Sequence, residues 1–549
     1  MPPPLLKRVL RHMSAEERAL ALRQRLVPIT WLPHVTLYAD AAPSPDWRAQ
    51  DTPAPVVARI SSAHFLEAAR KFLKQELLAE AANGLRSRAP VFSAFRRISS
   101  AESQAGLVLL GVAVLLALML PFDVFYIACC VPLTLLFLSM VWLRLMALLE
   151  PKPLRRIAPE MDDRLLPVYS VLVPVFRETR VLPQLLGALM AMNYPAAKLD
   201  IKLILEEIDT AMQRAVARLQ LPAHFEVLIV PAGKPQTKPR ALNYALQFAR
   251  GHLLTIYDAE DIPEPMQLRC AARMFAQQPQ DVACLQAELA FYNPNENWLT
   301  RQFTLEYATL FKLMLPMLAA QRLPLPLSGT SNHFRVSALA AADGWDPYNV
   351  TEDADLGFRL ARLGYRTAVL PSITYEEANS RLGNWMHQRS RWLKGFLQTW
   401  LVHMRSPRAL VSEIGLAGFV VLQATVLGVF AAATLHPLFL LATAYTLYGD
   451  IWHGAEQSEG ALAWHSLFIG LLLAGMAVSM FSGARAAQIK GLRGFGFTVA
   501  TMPFYWLLAS LAGWQAVWQF LHKPYHWNKT QHGLSRFQQT AGKASGQRS

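Results

Sequence analysis

The sequence predicts an α/β domain with a mostly parallel sheet, placed between two groups of transmembrane α-helices. Only 17% of the 549 residues are charged, whereas soluble domains are nearer a quarter charged. Long uncharged apolar segments lie on both sides of a middle region. In that region, residues 165–405, short β-branched segments alternate with helical patterns. Such alternation indicates parallel strands joined by helices.

Residues 1–100 form a polar region that we expect to be a small accessory module in the cytoplasm. The segment 62–85 carries apolar residues at helical spacing, and two short strands are predicted shortly before it. No apolar core follows the first basic residues, so the N-terminus does not resemble a secretory signal. The sequence does not indicate what this module does.

Two uncharged segments, 105–121 and 124–143, are long enough, or nearly so, to cross a hydrocarbon core of about 30 Å. They predict two transmembrane helices within residues 101–148. The C-terminal region, 406–520, predicts three to four more helices. Its apolar segments are 415–434, 436–448, 462–482 and 495–519. A basic, partly disordered tail is expected over 521–549.

The net charge of +14 is concentrated in the segments that flank the apolar ones. Juxtamembrane Lys and Arg mark the cytoplasmic side of a membrane, so we expect the middle domain to be cytoplasmic. No nucleic-acid motif accompanies the basic residues, which argues against a nucleic-acid partner. The basic loop 484–494 and the acidic loop 448–460 conflict with four C-terminal crossings, because the charge rule would place them on the wrong sides.

Four charged clusters follow predicted strands or lie on predicted helices of the middle region. They are "LEEID" (Glu206, Glu207), "DAED" (Asp258, Glu260), "TED" (Thr351 to Asp353) and "QRSRW" (Gln388 to Trp392). Alone, each has a structural explanation, as solvated turn residues, as acids that suit a helix dipole or as an interfacial helix. In open α/β sheets, however, ligands bind at the carboxyl ends of the strands, where the first two clusters lie.

In this order, the clusters resemble the motifs of the membrane-embedded processive glycosyltransferases of family 2, which include cellulose, chitin and hyaluronan synthases. The resemblance covers about residues 165–405 and, in layout only, the flanking apolar segments. It implies a GT-A fold, a UDP-sugar donor and a divalent cation, Mg²⁺ or Mn²⁺. Asp258 and Glu260 match the metal-binding Asp-x-Asp of the family, with Glu in place of the second Asp.

The resemblance also implies roles for further residues. Asp353, with Glu352 beside it, matches the catalytic base that deprotonates the acceptor hydroxyl. Donor-binding positions are matched by Glu206, Glu207, Lys238, Asn243, Gln388 and Arg391. Acceptor contacts are expected from Trp392, Ser328, Thr330 and His333. Arg clamps phosphate through two parallel hydrogen bonds, whereas Lys acts on it as a compact charge.

By this resemblance, the chain is expected to be an inverting hexosyltransferase of the bacterial inner membrane that builds an exopolysaccharide processively and exports it. The expected partners are a polysaccharide or lipid-linked acceptor, membrane lipids and export proteins of the envelope. Two alternatives stay open. One is the non-processive transfer of a single sugar to a lipid-linked acceptor. The other is a non-catalytic membrane scaffold or receptor whose α/β domain binds nucleotide.

Overall fold

The structure, a computed structural model, describes residues 62–96, 98, 100–150, 160–453, 459–523 and 533–535. It also describes five short N-terminal pieces: 18, 21–23, 26–28, 36–39 and 56–60. Most of the predicted basic tail lies outside the described residues. Within them, a mostly parallel sheet covered by helices lies between long apolar helices. This arrangement confirms the predicted α/β class, a mostly parallel sheet placed between apolar helices.

The N-terminal region forms a small sheet followed by two helices. Its strands are β1 (Leu26–Pro28), β2 (Thr36–Ala39) and β3 (Val56–Ile60). The helices span Ser62–Phe72 and Lys74–Arg88. Buried apolar residues of both helices, such as Leu66 and Leu77, share a hydrophobic core with the central domain. The described part of this region therefore packs directly on the central domain.

Eight strands form the central sheet, in the order β6-β5-β4-β7-β10-β9-β11-β8. The strands are β4 (Tyr169–Val175), β5 (Leu199–Glu206), β6 (Phe225–Val230), β7 (Leu253–Ile256), β8 (Ile262–Pro263), β9 (Val282–Phe291), β10 (Asn332–Arg335) and β11 (Arg366–Glu376). All pairs are parallel except those made by β10 and β8. Every residue of β5 and of β9 is buried, as expected for strands covered on both faces.

Helices pack on both faces of this sheet. They span Leu182–Met190, Thr210–Ala217, Lys238–Leu246, Gln267–Gln277, Val336–Ala341 and Glu352–Arg362. The two-residue period of a strand divides its side chains between two cores. On β4, Leu172 belongs to one core, whereas Val171 and Val173 belong to the other. Because the parallel strands are held in register, their carboxyl ends lie along one edge of the sheet.

Long apolar helices flank the domain. They span Ser100–Met119, Phe122–Leu149, Pro407–Leu422, Gly428–His453, Glu459–Lys490 and Met502–His522, with a short helix at Gly496–Ala500. A π-helical stretch, Gln423–Leu427, joins the third to the fourth. Gly415 has a non-helical backbone (φ 70°, ψ 171°) and divides Pro407–Leu422 by a kink. From this kink onward, the segments 415–434 and 436–448, predicted as separate, lie in one helical run. That run contains Pro437, which membrane helices tolerate better than soluble ones.

Four helices in the described part of the chain are long and apolar enough to cross a membrane. One of them was not predicted: Trp298–Ala320, which is helical at Trp298–Thr309 and Leu315–Ala320 and π-helical between them. The helix that carries "QRSRW" spans Leu382–His403 and packs along Met502–His522. In this contact the Trp385 indole N–H donates to the Tyr505 hydroxyl at 3.2 Å.

Candidate active site

One cavity of about 950 Å³ collects most of the residues that the sequence singles out. Its polar end lies at the carboxyl ends of β4, β5, β7 and β11, and its other end lies among the long apolar helices. Eleven of the fourteen predicted site residues line it. These are Glu206, Lys238, Asp258, Glu260, Ser328, Thr330, Glu352, Asp353, Gln388, Arg391 and Trp392. The cavity therefore joins residues that are far apart in sequence.

Asp258 and Lys238 form an ion pair at the polar end. Asp258 follows β7, and Lys238 begins the helix Lys238–Leu246. The Lys238 ammonium also donates a hydrogen bond of 2.8 Å to the Gly329 carbonyl. Burial alone would lower the pKa of Lys238, but the carboxylates around it raise that pKa above its usual value. Lys238 is therefore held in its charged form.

Three more carboxylates, Glu260, Asp261 and Glu376, lie close to Asp258. Burial raises the pKa of each well above its usual range, and the negative charges of the neighbouring acids raise it further. The backbone N–H of Asp258 donates to Asp261 Oδ2 at 2.8 Å. The other oxygen, Asp261 Oδ1, is buried without a hydrogen-bond partner among the described residues. If all of these acids were ionised, the cluster would carry more negative charge than Lys238 alone could balance, and the raised pKa values reflect that cost.

The "TED" residues begin the helix Glu352–Arg362, and that helix end packs against the "QRSRW" helix. Thr351 stands at the N-cap position without a side-chain capping bond. Its hydroxyl lies 3.3 Å from that of Thr399 instead. A β-carbon on Gly395 would come within 2.4 Å of Thr351, so only glycine allows this approach. The packing of Thr351 on Thr399 and Gly395 fixes the start of the helix that carries Asp353 relative to the "QRSRW" helix.

Glu352 and Asp353 differ in their electrostatic surroundings. Burial, together with the charge of Asp353, raises the pKa of Glu352 to about 8. Burial also raises the pKa of Asp353, but a backbone hydrogen bond of 2.8 Å from Ala354 and the charges of Lys238 and Arg391 oppose that rise. Near neutral pH, Glu352 is therefore mostly protonated, whereas the hydrogen bond from Ala354 and the two cationic side chains favour the ionised form of Asp353.

The "QRSRW" helix presents Gln388, Arg391 and Trp392 to the cavity. Arg391 faces the Glu352 and Asp353 carboxylates, and burial lowers its pKa although these acids oppose that effect. The Trp392 ring stacks on Tyr307 with 6.4 Å between ring centroids and an interplanar angle of 27°. Trp392 is therefore held by Tyr307 and by the Arg389 guanidinium, 5.0 Å from its ring centroid, and it lines the cavity beside the carboxylates.

The loop 327–331 lies between Lys238 and Asp353. A β-carbon on Gly329 would stand 3.3 Å from Asp353 Oδ2 and 3.9 Å from Lys238 Nζ. The Ser328 N–H donates to Gln286 Oε1 at 2.9 Å. The Thr330 hydroxyl donates to Asp261 and to the Ile256 carbonyl, so it orients the carboxylate cluster. Ser328 is half-buried, whereas Thr330 is buried.

Three predicted site residues do not line the cavity, contrary to expectation. His333 points into the core, where its Nδ1 lies 2.6 Å from the Tyr169 hydroxyl and burial lowers its pKa to about 3. Asn243 bonds the backbone of Trp345 in both directions, at 2.7 and 3.0 Å, and also reaches Ala81. Glu207 is exposed and accepts a hydrogen bond from the Ala232 N–H at 2.8 Å. These contacts give each of the three side chains a structural role outside the cavity.

Glu376 and Arg144 are charged cavity residues that the sequence reasoning missed. Glu376 ends β11 in "TYEEA", and this acid pair at the end of a strand is the signal that could have identified it. Arg144 lies on the helix Phe122–Leu149, just beyond the uncharged stretch that predicted this span.

Within the described residues, no group of three His, Cys, Asp or Glu side chains could hold a metal ion by itself. Mg²⁺ at nucleotide sites is usually held by one or two carboxylates together with substrate phosphates. Asp258 and Glu260, with the unpartnered oxygen of Asp261 beside them, fit that kind of site. The cavity can thus combine carboxylates, two cationic side chains and an aromatic face around one bound molecule.

Comparisons with known proteins agree with this geometry. The family model described as glycosyl transferase family group 2 matches residues 253–522. A probable glycosyltransferase, YdaM of Bacillus subtilis, is 26% identical over 234 residues, which are 42% of this chain and 55% of that protein. A probable glucomannan 4-beta-mannosyltransferase of Arabidopsis thaliana is 24% identical over 42% of this chain and 43% of its own length.

A beta-monoglucosyldiacylglycerol synthase of Synechocystis is 26% identical over 55% of this chain and 66% of its own. The chain spans about half the length of the curated relatives that it matches. A solved mannosyltransferase from Pyrobaculum calidifontis, in complex with GDP-Man and Mn²⁺, aligns with 66% of this chain and 99% of its own at 19% identity and a TM-score of 0.40. Residues 253–522 therefore match a family 2 glycosyltransferase model, and the relatives that the chain resembles are named as glycosyltransferases.

Proposed function

We propose that the chain transfers a sugar from a UDP-sugar to an acceptor hydroxyl with inversion at the anomeric carbon. The observation that carries this proposal is one cavity lined by Asp353, Lys238 and Arg391 together with the carboxylates of Asp258 and Glu260. It holds a proton acceptor, cationic groups for a diphosphate and carboxylates for a divalent cation within one enclosure. The same cavity extends between the apolar helices, which suits an acceptor that approaches from the membrane.

Lys238 and Arg391 are proposed to bind the diphosphate of the donor, since both are cationic and both face the cavity. Asp258 and Glu260 would hold Mg²⁺ or Mn²⁺, whose hard character suits carboxylate ligands. When bound there, the ion acts as a Lewis acid toward the departing diphosphate. Gln388 and Glu206 line the same end, although Glu206 is already paired with Arg240 at 2.7 Å.

Asp353 is proposed as the general base. The acceptor oxygen forms a bond to the anomeric carbon while the bond from that carbon to the diphosphate oxygen breaks. The hydroxyl proton passes to Asp353, and the electron pair of the broken bond leaves with the nucleoside diphosphate. Direct attack opposite the leaving group converts an α-linked donor into a β-linked product. Trp392 supplies a face on which the acceptor sugar stacks.

Two acceptors are candidates. A growing β-glycan, extended processively and exported, is the expectation from the "QRSRW" motif, and some relatives are named for glucomannan. A single lipid-linked acceptor is the second candidate, and other relatives are named for a glucosyldiacylglycerol. The aliphatic lining of the membrane end of the cavity favours the lipid, because a glycan needs hydrogen-bond partners along its length. Asp353 and Lys238 serve either acceptor equally.

The proposed location is the bacterial inner membrane, with the catalytic domain in the cytoplasm where UDP-sugars are available. The apolar helices on both sides of the domain support membrane insertion. The basic segments that adjoin them support the cytoplasmic orientation.

The test is a screen of UDP-sugars with the purified full chain in proteoliposomes, with Mn²⁺ and with excess chelator. We expect UDP release with one or a few donors, strong metal dependence and a β-linked product identified by NMR. Product sizing separates polymer from single addition. Absence of UDP release with every donor, although nucleotide binds, would support the non-catalytic scaffold instead.

A further inference from the structure

Arg144 is a charged residue on a long apolar helix, and it lines the cavity. It lies within Val131–Leu149, one of the stretches long and apolar enough to cross a membrane. Charged residues in such stretches are costly and usually serve a binding site or pathway. Arg144 makes no hydrogen bond or short ion pair with any of the described residues, and the acid that acts on it electrostatically is Glu306. The side chain is therefore available to a ligand.

Glu306 is already engaged elsewhere. Arg389 holds it through two hydrogen bonds of 2.6 Å, one to each carboxylate oxygen. The Tyr505 hydroxyl donates a third, of 2.8 Å. The guanidinium groups of Arg389 and Arg144 thus share the single carboxylate of Glu306. One of the two positive charges is left without a counter-ion in this part of the cavity. A bound anion would remove that imbalance.

The long helices line the cavity mostly with apolar side chains, although Thr309, His436 and Ser479 also belong to the lining. The cavity lining there includes Phe137, Met140, Val141, Leu310, Met314 and Val429. Thr425 also lines it, but its hydroxyl is used by the Val421 carbonyl at 2.7 Å. Aliphatic side chains offer no hydrogen bonds to sugar hydroxyls, and burying hydroxyls without partners is costly. The same lining suits a hydrocarbon chain.

We propose that the acceptor is an amphiphile in which a phosphate group joins a hydrocarbon chain to a sugar. The chain lies among the apolar side chains, the phosphate pairs with Arg144, and the sugar stacks on Trp392 with a hydroxyl toward Asp353. This inference rests on the proposed transfer function and identifies its acceptor class. A neutral glycan in the same place would leave the Arg144 charge desolvated without a counter-ion.

The experiment compares two synthetic acceptors with the same alkyl chain and the same sugar. In one, a phosphodiester joins the chain to the sugar; in the other, a plain glycosidic bond does. The full chain in nanodiscs receives labelled donor and Mn²⁺ with each acceptor, and kcat/KM is measured for wild type, Arg144→Gln and Arg144→Lys. We expect wild type to prefer the phosphodiester by about tenfold or more, the effect of one hydrogen bond to a charged group.

Arg144→Gln should abolish most of this preference through a higher KM for the phosphodiester acceptor, while Arg144→Lys should retain part of it. The KM for the donor should stay unchanged. Arg485→Gln is the matched control, because Arg485 is an exposed arginine on another long apolar helix and does not line the cavity. Binding of a spin-labelled phosphodiester lipid to each variant gives a second readout that does not depend on turnover.

Equal use of the two acceptors by wild type, or a preference that survives Arg144→Gln, would overturn the inference. A long polymer formed without lipid attachment and unaffected by Arg144→Gln would overturn it as well. In each of these cases the transfer reaction itself is still observed. If instead no acceptor receives sugar and no UDP is released, the proposed function fails, so the two failures are distinguishable.

Discussion

The ammonium of Lys238 is paired with the carboxylate of Asp258 at the polar end of the cavity. The pair joins the residue proposed to bind the donor diphosphate to a residue proposed to bind the metal. In the absence of both ligands each charge neutralises the other, which lowers the cost of burying them. When donor and cation bind together, Lys238 can turn to the diphosphate and Asp258 to the cation without a change in total charge.

Lys238 and Asn243 lie on one helix, but replacing them separately should change different properties, UDP affinity for Lys238 and stability for Asn243. Lys238→Ala removes a charged hydrogen-bond donor to phosphate and should weaken UDP binding by about tenfold to a hundredfold. Asn243→Ala removes bonds to Trp345 and Ala81 and should cost about 1–3 kcal/mol of stability with donor affinity unchanged. Calorimetric titration with UDP and thermal unfolding measure the two effects.

Lys238→Arg is the control that retains the charge, and it should recover part of the UDP affinity. If Asn243→Ala weakens UDP binding as much as Lys238→Ala does, the position assigned to Asn243 outside the cavity is incorrect.

The carboxylate cluster should make the metal-free protein less stable as pH rises. The pKa values of Glu260, Asp261 and Glu376 are raised in the folded state, so the folded state binds more protons than the unfolded one. Stability is then fully present below the unfolded pKa values and is lost as pH rises through the folded ones. Mn²⁺ should raise the Tm more near pH 8 than near pH 5, because it replaces the protons that are lost.

Glu376→Gln removes one of these charges and should raise the Tm of the metal-free protein at the higher pH. Differential scanning calorimetry of the full chain in detergent, with chelator or Mn²⁺, measures both effects. A Tm that is independent of pH and Mn²⁺ would show that the cluster does not bind a cation.

Ionisation of Glu352 should lower kcat/KM for the donor at alkaline pH. Its pKa is raised to about 8, so it is mostly protonated near neutral pH and ionises above that value. The added negative charge then faces Asp353 and an anionic donor. We expect kcat/KM for the donor to fall above about pH 8 in wild type, and this fall to disappear in Glu352→Gln. If kcat/KM still falls above about pH 8 in Glu352→Gln, a group other than Glu352 is responsible for the fall.

We propose a membrane topology from the helical run that continues from Gly415 to His453. In this topology the run passes outward once, Glu459–Lys490 returns, and the last helix packs along Leu382–His403. The basic segment 484–494 would then lie in the cytoplasm, as the charge rule expects. The N–H groups of Leu534 and Ser535 donate to Glu377 at 2.9 and 2.6 Å, which places these two residues against the catalytic domain.

A phosphatase reporter inserted between His453 and Glu459 should therefore be active, because it lies in the periplasm. The same reporter should be inactive after Gly491 or after Lys523. An active reporter after Lys523 would contradict the assigned side of the last helix, and fluorescent protein fusions at the same points provide the complementary signal.

The parts of the fold that local patterns determine were predictable. The buried strands are short apolar runs, and the acids at their ends stand out against them, so Asp258 and Glu206 could be assigned to the edge of the sheet. The rotation of a helix or strand about its axis is set by tertiary packing. His333 and Asn243 therefore could not be assigned to the core from their motifs alone.

Other features depend on contacts between distant segments. Pro437 divides the hydropathy pattern but not the helix, because neighbouring helices support a proline within the run. The unpartnered state of Arg144 becomes visible only when Glu306 is seen to be engaged by Arg389. Glu376 is the exception, since its position at the end of a strand could have been used in the same way as that of Asp258.

The most direct test of the central claim is single-turnover transfer by wild type and Asp353→Asn, with UDP affinity measured on the same preparations. Asparagine has nearly the same shape as aspartate but cannot accept the hydroxyl proton. We predict that transfer falls by roughly 10²- to 10⁴-fold while UDP affinity changes by less than about threefold. Transfer at the wild-type rate by Asp353→Asn would contradict the assignment of the base and with it the proposed reaction geometry.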